Sequence, residues 1–180
     1  MRTFSRQAVK VLGYAVCPFL TAVPLLYTGM AYNYTVILND PDTRLLFLLC
    51  NAPVAVYLVW MLWHVCPLVS RKQWYLENMI LYLDSLAVLI LPYKGNGSDV
   101  LSNMHVLLAY ADFVICTVLL LQISFHSPEL RTICICGILT VLLLAAAAGK
   151  VSGISELVYA FLLLFIVASA YLQKEKKENP

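Results

Sequence analysis

From Leu45 to Val65 the chain reads LLFLLCNAPVAVYLVWMLWHV, without one Asp, Glu, Lys or Arg. About 20 consecutive apolar residues are what an α-helix needs to cross a hydrocarbon core of about 30 Å. The apolar region of a signal peptide is shorter, and core helices of soluble domains are interrupted by polar faces. The stretch therefore reads as a membrane span, and the chain on either side repeats it. Further apolar runs extend over about Val11 to Tyr32, Tyr75 to Tyr93, Asn103 to Ile123, Thr132 to Ala148 and Ile154 to Tyr171. With Leu45 to Val65 they make six.

The expected fold is an all-α, polytopic membrane protein in which residues 1–180 form one compact bundle of six transmembrane helices. Composition agrees: 62% of residues are hydrophobic and 12% charged, against about 45–50% and about 25% in soluble domains. The first run follows Arg2, Arg6 and Lys10 as a signal peptide would, but it is too long and is interrupted by Pro18 and Pro24, so it is expected to remain as a span. The fifth run, Thr132 to Ala148, is the shortest, and a re-entrant segment is the alternative there.

Orientation follows from the distribution of basic residues in short loops. With the N-terminus inside, the cytosolic segments hold Arg2, Arg6, Lys10, Arg71, Lys72, Arg131, Lys174, Lys176 and Lys177, and the opposite side holds Arg44, Lys94 and Lys150. Nine against three places both termini in the cytosol. The two N-glycosylation sequons, at Asn33 and Asn96, fall in loops that this topology puts outside, which points to the secretory pathway or plasma membrane. The tail from Lys174 to Pro180 resembles a dilysine retrieval signal displaced by one position, and reads first as a basic cytosolic flank.

Several classes of chemistry find no support. The net charge of +2 and the scattering of basic residues speak against a nucleic-acid partner. The six cysteines, Cys17, Cys50, Cys66, Cys116, Cys134 and Cys136, include no CxxC pair and read as small core hydrophobes. Cys134 and Cys136 point to different sides of a helix, and His64 and His126 lack ligand spacing, so no metal or other cofactor is expected. Cys66, beside the Trp60 and Trp63 belt, is a candidate palmitoylation site. There is no Walker loop, GxSxG elbow or HExxH motif.

What remains are ionisable residues deep inside apolar runs, where a central Asp costs roughly 2.5–3.5 kcal/mol on insertion scales. Asp84 and Asp112 each lie fourteen positions from Ser98 in the intervening turn, so an antiparallel hairpin brings them to similar depth. Glu77 and His105 stand seven residues before them on the same helix faces. A polar ladder is expected in the order His105, Asp112 with Asp84, then Glu77, with Tyr82, Ser85 and Tyr110 near its middle. No Lys or Arg occupies the middle of a run. The acids are therefore protonated helix-to-helix donors, share a proton, bind a cation, or pair with a basic residue of a partner helix.

Three functions are open to such a chain. The first is a non-enzymatic accessory or assembly subunit working through its transmembrane helices, with a membrane-protein partner or a second copy. The second is a small proton- or cation-coupled transporter using the Asp pair. The third is an intramembrane lipid-modifying enzyme, for which no nucleophile or metal cluster is visible. Proline-broken helices, at Pro18, Pro24 and Pro53, occur in transporter sites but also in helices that bind nothing. The Ala145–Ala148 run offers a smooth surface for helix contact, and Glu156 is explained by a helix N-terminus or snorkelling.

Overall fold

In the computed structural model, residues 5–30, 32–65, 69–94, 99–125 and 127–178 are described. They are all-helical, 88% in helices and without strands. Helix α1 (Arg6–Val11) passes through a π-helical turn (Leu12–Val16) into α2 (Cys17–Thr28). The short α3 (Tyr34–Asn39) leads to α4 (Pro41–His64), α5 (Arg71–Ile90), α6 (Val100–Ser124), α7 (Pro128–Ala148) and α8 (Gly153–Glu178).

The ends follow capping chemistry. Ser5, Asn33, Asp40, Ser70, Asp99 and Ser127 each accept a backbone N–H of the helix that follows, satisfying donors that a helix start leaves free. Pro41 and Pro128 occupy first turns, where a missing N–H costs nothing. Gly149 (φ 65°) closes α7 in the left-handed region, which only glycine enters without strain. The π-helical turn precedes Pro18: the Cys17 N–H reaches back five residues to the Leu12 carbonyl, a wider turn that gives the proline ring room against the preceding backbone.

Five helical segments are long and apolar enough to cross a membrane: Arg6–Thr28, Pro41–His64, Val100–Ser124, Pro128–Ala148 and Gly153–Lys176. The fifth apolar run, expected to be the weakest, has the highest mean hydropathy of these, 2.3. The run that falls short of the criterion is the third, now α5, because Glu77, Asn78 and Asp84 dilute it. The first run is also divided differently from its expected limits, ending at Gly29 and handing its last residues to the loop before α3.

The bundle is organised around α8, which buries 44% of its apolar window, against 17% for α6 and α7. Ile166, Val167 and Ala168 are fully buried there with Val9, Met61, Leu120, Ile123 and Cys134. At one end of the bundle Arg6 pairs with Glu175 at 3.4 Å, and Lys174 Nζ donates to the His64 carbonyl at 2.9 Å. The starts of α1 and the ends of α4 and α8 thus meet; this is called the proximal end. Trp74, 2% exposed, donates its indole N–H to the Leu62 carbonyl at 2.9 Å, so α5 also begins there. At the distal end the Tyr93 N–H donates to Asn39 Oδ1 at 3.0 Å, just beyond the end of α5. Helix α5 therefore runs the length of the bundle, antiparallel to α6.

Close crossing at Gly13 ties α1 to the core. A Cβ there would lie 2.6 Å from Tyr57 Oη and 2.7 Å from Ala168 Cβ. Gly13→Val is accordingly expected to cost about 1–3 kcal/mol by overpacking, read as a lowered melting midpoint in mild detergent. Ala15→Val, at an exposed position of the same segment, is expected to melt with the parent. Equal midpoints for all three proteins would rule out the crossing.

Candidate functional site

The polar residues gather on a seam between α5, α6 and α8. Antiparallel pairing of α5 and α6 brings the expected levels together: Ser85 Oγ donates to Asp112 Oδ1 at 2.8 Å, and Asp84 lies within electrostatic reach of Asp112. Asp112 is central on the buried face of α6, between His105 and Leu119. Asp84 stands to the side of the α5 contact face, whose centre is Trp74, Asn78 and Leu81. Its carboxyl is half-buried, and its Oδ2 is shielded without a hydrogen-bond partner.

The outer steps are placed as follows. His105 is fully buried, and its Nδ1 lies 2.9 Å from the Leu91 carbonyl. A carbonyl only accepts, so Nδ1 carries a proton; Nε2 is buried and unpartnered. The ring packs against Tyr93 at 5.6 Å. Toward the proximal end, Glu77 accepts from Gln73 Nε2 at 2.7 Å, and its second oxygen is shielded and unpartnered. Tyr82 donates to Asn78 Oδ1 at 3.5 Å, and Asn78 in turn donates to the Trp74 carbonyl at 2.8 Å. Tyr110 is 58% exposed and stands away from the seam. The seven-residue steps from Asp112 to His105 and from Asp84 to Glu77 correspond to about 10 Å each, so the ladder is a set of separate rungs.

Sequence reading missed the contribution of α8. Tyr159 donates to the Phe113 carbonyl at 3.2 Å, lies 3.0 Å from Thr117 Oγ1 and stacks on Phe113 at 4.6 Å. Nothing local marks Tyr159 as polar-seam material, since its partners are more than forty residues away in the chain.

A second polar knot lies at the distal end. Glu156, in the first turn of α8, accepts the Tyr34 backbone N–H, and the Tyr34 hydroxyl donates to the Thr21 carbonyl at 2.8 Å. Burial, with the charge of Glu156 adding to it, pushes the Tyr34 phenol above its ordinary range. Glu156 is thus turned inward onto the α2–α3 connection instead of snorkelling. Gly153 makes room for that connection, because a Cβ there would strike the Tyr32 carbonyl and lie 2.5 Å from Leu25 Cδ2.

Other expected sites are dispersed. Asn33 is half-buried and caps α3, its Oδ1 accepting the Val36 N–H at 3.0 Å. Asn96, Cys66 and His126 lie outside the described residues. His64 donates to the Trp60 carbonyl at 2.7 Å and stacks on Trp60 at 4.3 Å. Among the described residues no group of three His, Cys, Asp or Glu side chains could hold a metal ion. Ala146, Ala147 and Ala148 are exposed, so their small-residue surface is not used within the chain. An open apolar groove of about 430 Å³ runs between α7 and α8, over Cys136, Gly137, Thr140, Phe161 and Phe165.

No known protein family, curated protein or solved structure shows significant similarity to this chain.

Substitutions at two positions test this geometry. Glu156→Gln keeps an acceptor for the Tyr34 N–H and is expected to melt near the parent, whereas Glu156→Ala strands a half-buried donor and is expected to cost about 1–3 kcal/mol. Ser85→Ala leaves Asp112 without its hydroxyl donor, with an expected loss of about 1 kcal/mol. Thermal midpoints in one detergent check both. Glu156→Ala melting level with Glu156→Gln would remove the distal knot from the account.

Proposed function

We propose that the chain is a six-span protein of the secretory pathway or plasma membrane, with both termini cytosolic, acting as a non-enzymatic accessory or assembly subunit through its transmembrane helices. The observation that carries this reading is where the apolar surface lies. Only 17% of the apolar windows of α6 and α7 and 28% of that of α4 are buried within the chain. Leu49, Val56, Leu107 and Leu143 are each at least 65% exposed. The connections between the long helices are short, apart from that holding α3, so the surface this protein offers a partner is overwhelmingly its helix faces.

Three observations support the topology. The Arg6–Glu175 pair joins the first and last long helices at one end of the bundle, which requires an even number of crossings between them. Five helices satisfy the apolar criterion, and α5 running between the two ends makes the sixth. The nine-to-three basic bias assigns the proximal end to the cytosol.

The competing readings draw less support. Rungs about 10 Å apart are too widely spaced for direct proton hops between side chains, which pass along hydrogen bonds of about 3 Å. A serine donating to a carboxylate, as Ser85 does to Asp112, has no imidazole beside it to activate the hydroxyl.

Protease treatment of sealed vesicles is expected to remove tags from both termini, and a tag protected at one terminus alone would overturn the even count. Affinity purification in mild detergent is expected to recover a stoichiometric membrane-protein partner. A chain that purifies alone from its native membrane would sink the assembly reading.

A further inference from the structure

Helix α5 is attached differently from the other long helices. Each of those packs against α8, whereas α5 packs chiefly on α6. Its inward face is Trp74, Asn78 and Leu81; Leu76, Met79, Leu83, Leu86 and Ile90 are all at least half exposed. Glu77 and Asp84 lie on the flank between these faces, and their carboxyls differ in engagement. Glu77 holds Gln73, and Asp112 across the seam holds Ser85. Asp84 makes no hydrogen bond through its shielded Oδ2, and the residue is only partly buried.

We infer that the exposed face of α5 docks a transmembrane helix of a different protein, whose Lys or Arg pairs with Asp84. The inference rests on the assembly reading and names its partner by charge. Two neighbouring carboxyls without a cation are an unbalanced arrangement in low dielectric, and a basic side chain on the docked helix balances it. Among the described residues the ion pairs are Arg6–Glu175 and Lys94–Asp99, both at helix ends. No Lys or Arg stands within the length of α5 between Lys72 and Lys94, so a second copy seated on the same face would bring acid against acid. The geometry also sets depth. Asp84 is six residues from Ile90 and thirteen from Arg71, about 9 Å and about 20 Å along the axis. The partner's cation is therefore placed nearer the distal side of the membrane.

The probe is a synthetic Leu/Ala transmembrane peptide with a single Lys at the depth of Asp84, compared with the same peptide bearing Leu or Glu there. Each is labelled and reconstituted with the full chain in phosphatidylcholine vesicles, and association is read by energy transfer. The Lys peptide is expected to associate at least about tenfold more tightly than the Leu peptide, and the Glu peptide no better than Leu. Asp84→Asn is expected to erase the Lys advantage, and Asp112→Asn to leave most of it. Leu83→Trp, at a 62% exposed position beside the acid, is expected to weaken docking with the carboxyl intact, which guards against misfolding of the Asp84 variant. Equal association of the Lys and Leu peptides, or a Lys advantage that survives both Asp84→Asn and Leu83→Trp, would overturn the site. Purification separates the two levels: a native partner retained by Asp84→Asn defeats this docking site and leaves the assembly reading standing, whereas a chain without any partner defeats both.

Discussion

The architecture depends on the close packing of α8 against nearly everything else. Ala168, Ser169 and Ala170 form a small-residue stretch whose side chains are 0–9% exposed, and Gly13 meets it from the π-helical turn that follows α1. In lipid there is little hydrophobic gain in joining two apolar helices, so close backbone approach and a few hydrogen bonds have to hold them. The Tyr14 hydroxyl lies 2.8 Å from Ser169 Oγ, and Tyr57 donates to the Val9 carbonyl at 3.4 Å, both beside that crossing. The core is thus small residues at the contact, flanked by hydroxyls.

Several polar groups elsewhere tie together segments distant in sequence. Lys174 caps the carbonyl end of α4, where a cation also meets the negative end of the helix dipole. Trp74 is buried and ties the start of α5 to the end of α4 through the Leu62 carbonyl. Trp63 and Tyr75 are exposed, with rings 4.6 Å apart. Glu156 and Asn39 do the corresponding work at the distal end.

Much of this was legible in the sequence, and the limits have physical causes. Apolar runs are readable because membrane thickness dictates their length, and the Asp84–Asp112 level was readable because a hairpin is symmetric about its turn. Which side of each helix faces its neighbour was only partly readable. In the structure His105 is buried and Asp112 partly so, whereas Tyr110 is exposed and Asp84 stands on the flank of the α5 contact face. Hydrophobic periodicity is weak when lipid and core are equally apolar, so a helix face carries little signal. Tyr159, Thr117 and Gly13 act through contacts between helices distant in the chain, which no local pattern encodes. The third run illustrates the opposite error: its polar residues lower its hydropathy below that of the shorter fifth run, although both helices extend between the same two ends.

Acids within membrane helices ordinarily face the bundle interior, and Asp112 does. Asp84 stands on the flank of the α5 contact face instead, with its Oδ2 shielded. The hydrogen bonds of α5 to elements other than α6 lie at its ends, with Trp74 on Leu62 near one and Tyr93 on Asn39 beyond the other, while along its length it packs closely on α6 and reaches Asp112 through the Ser85 hydroxyl. A helix held along one face by a single neighbour keeps its position without turning every polar side chain onto that contact. The same arrangement leaves the opposite face of α5, where Leu83, Leu86 and Ile90 are at least half exposed, outside the chain's own packing, with the Asp84 carboxyl on the flank between the two faces.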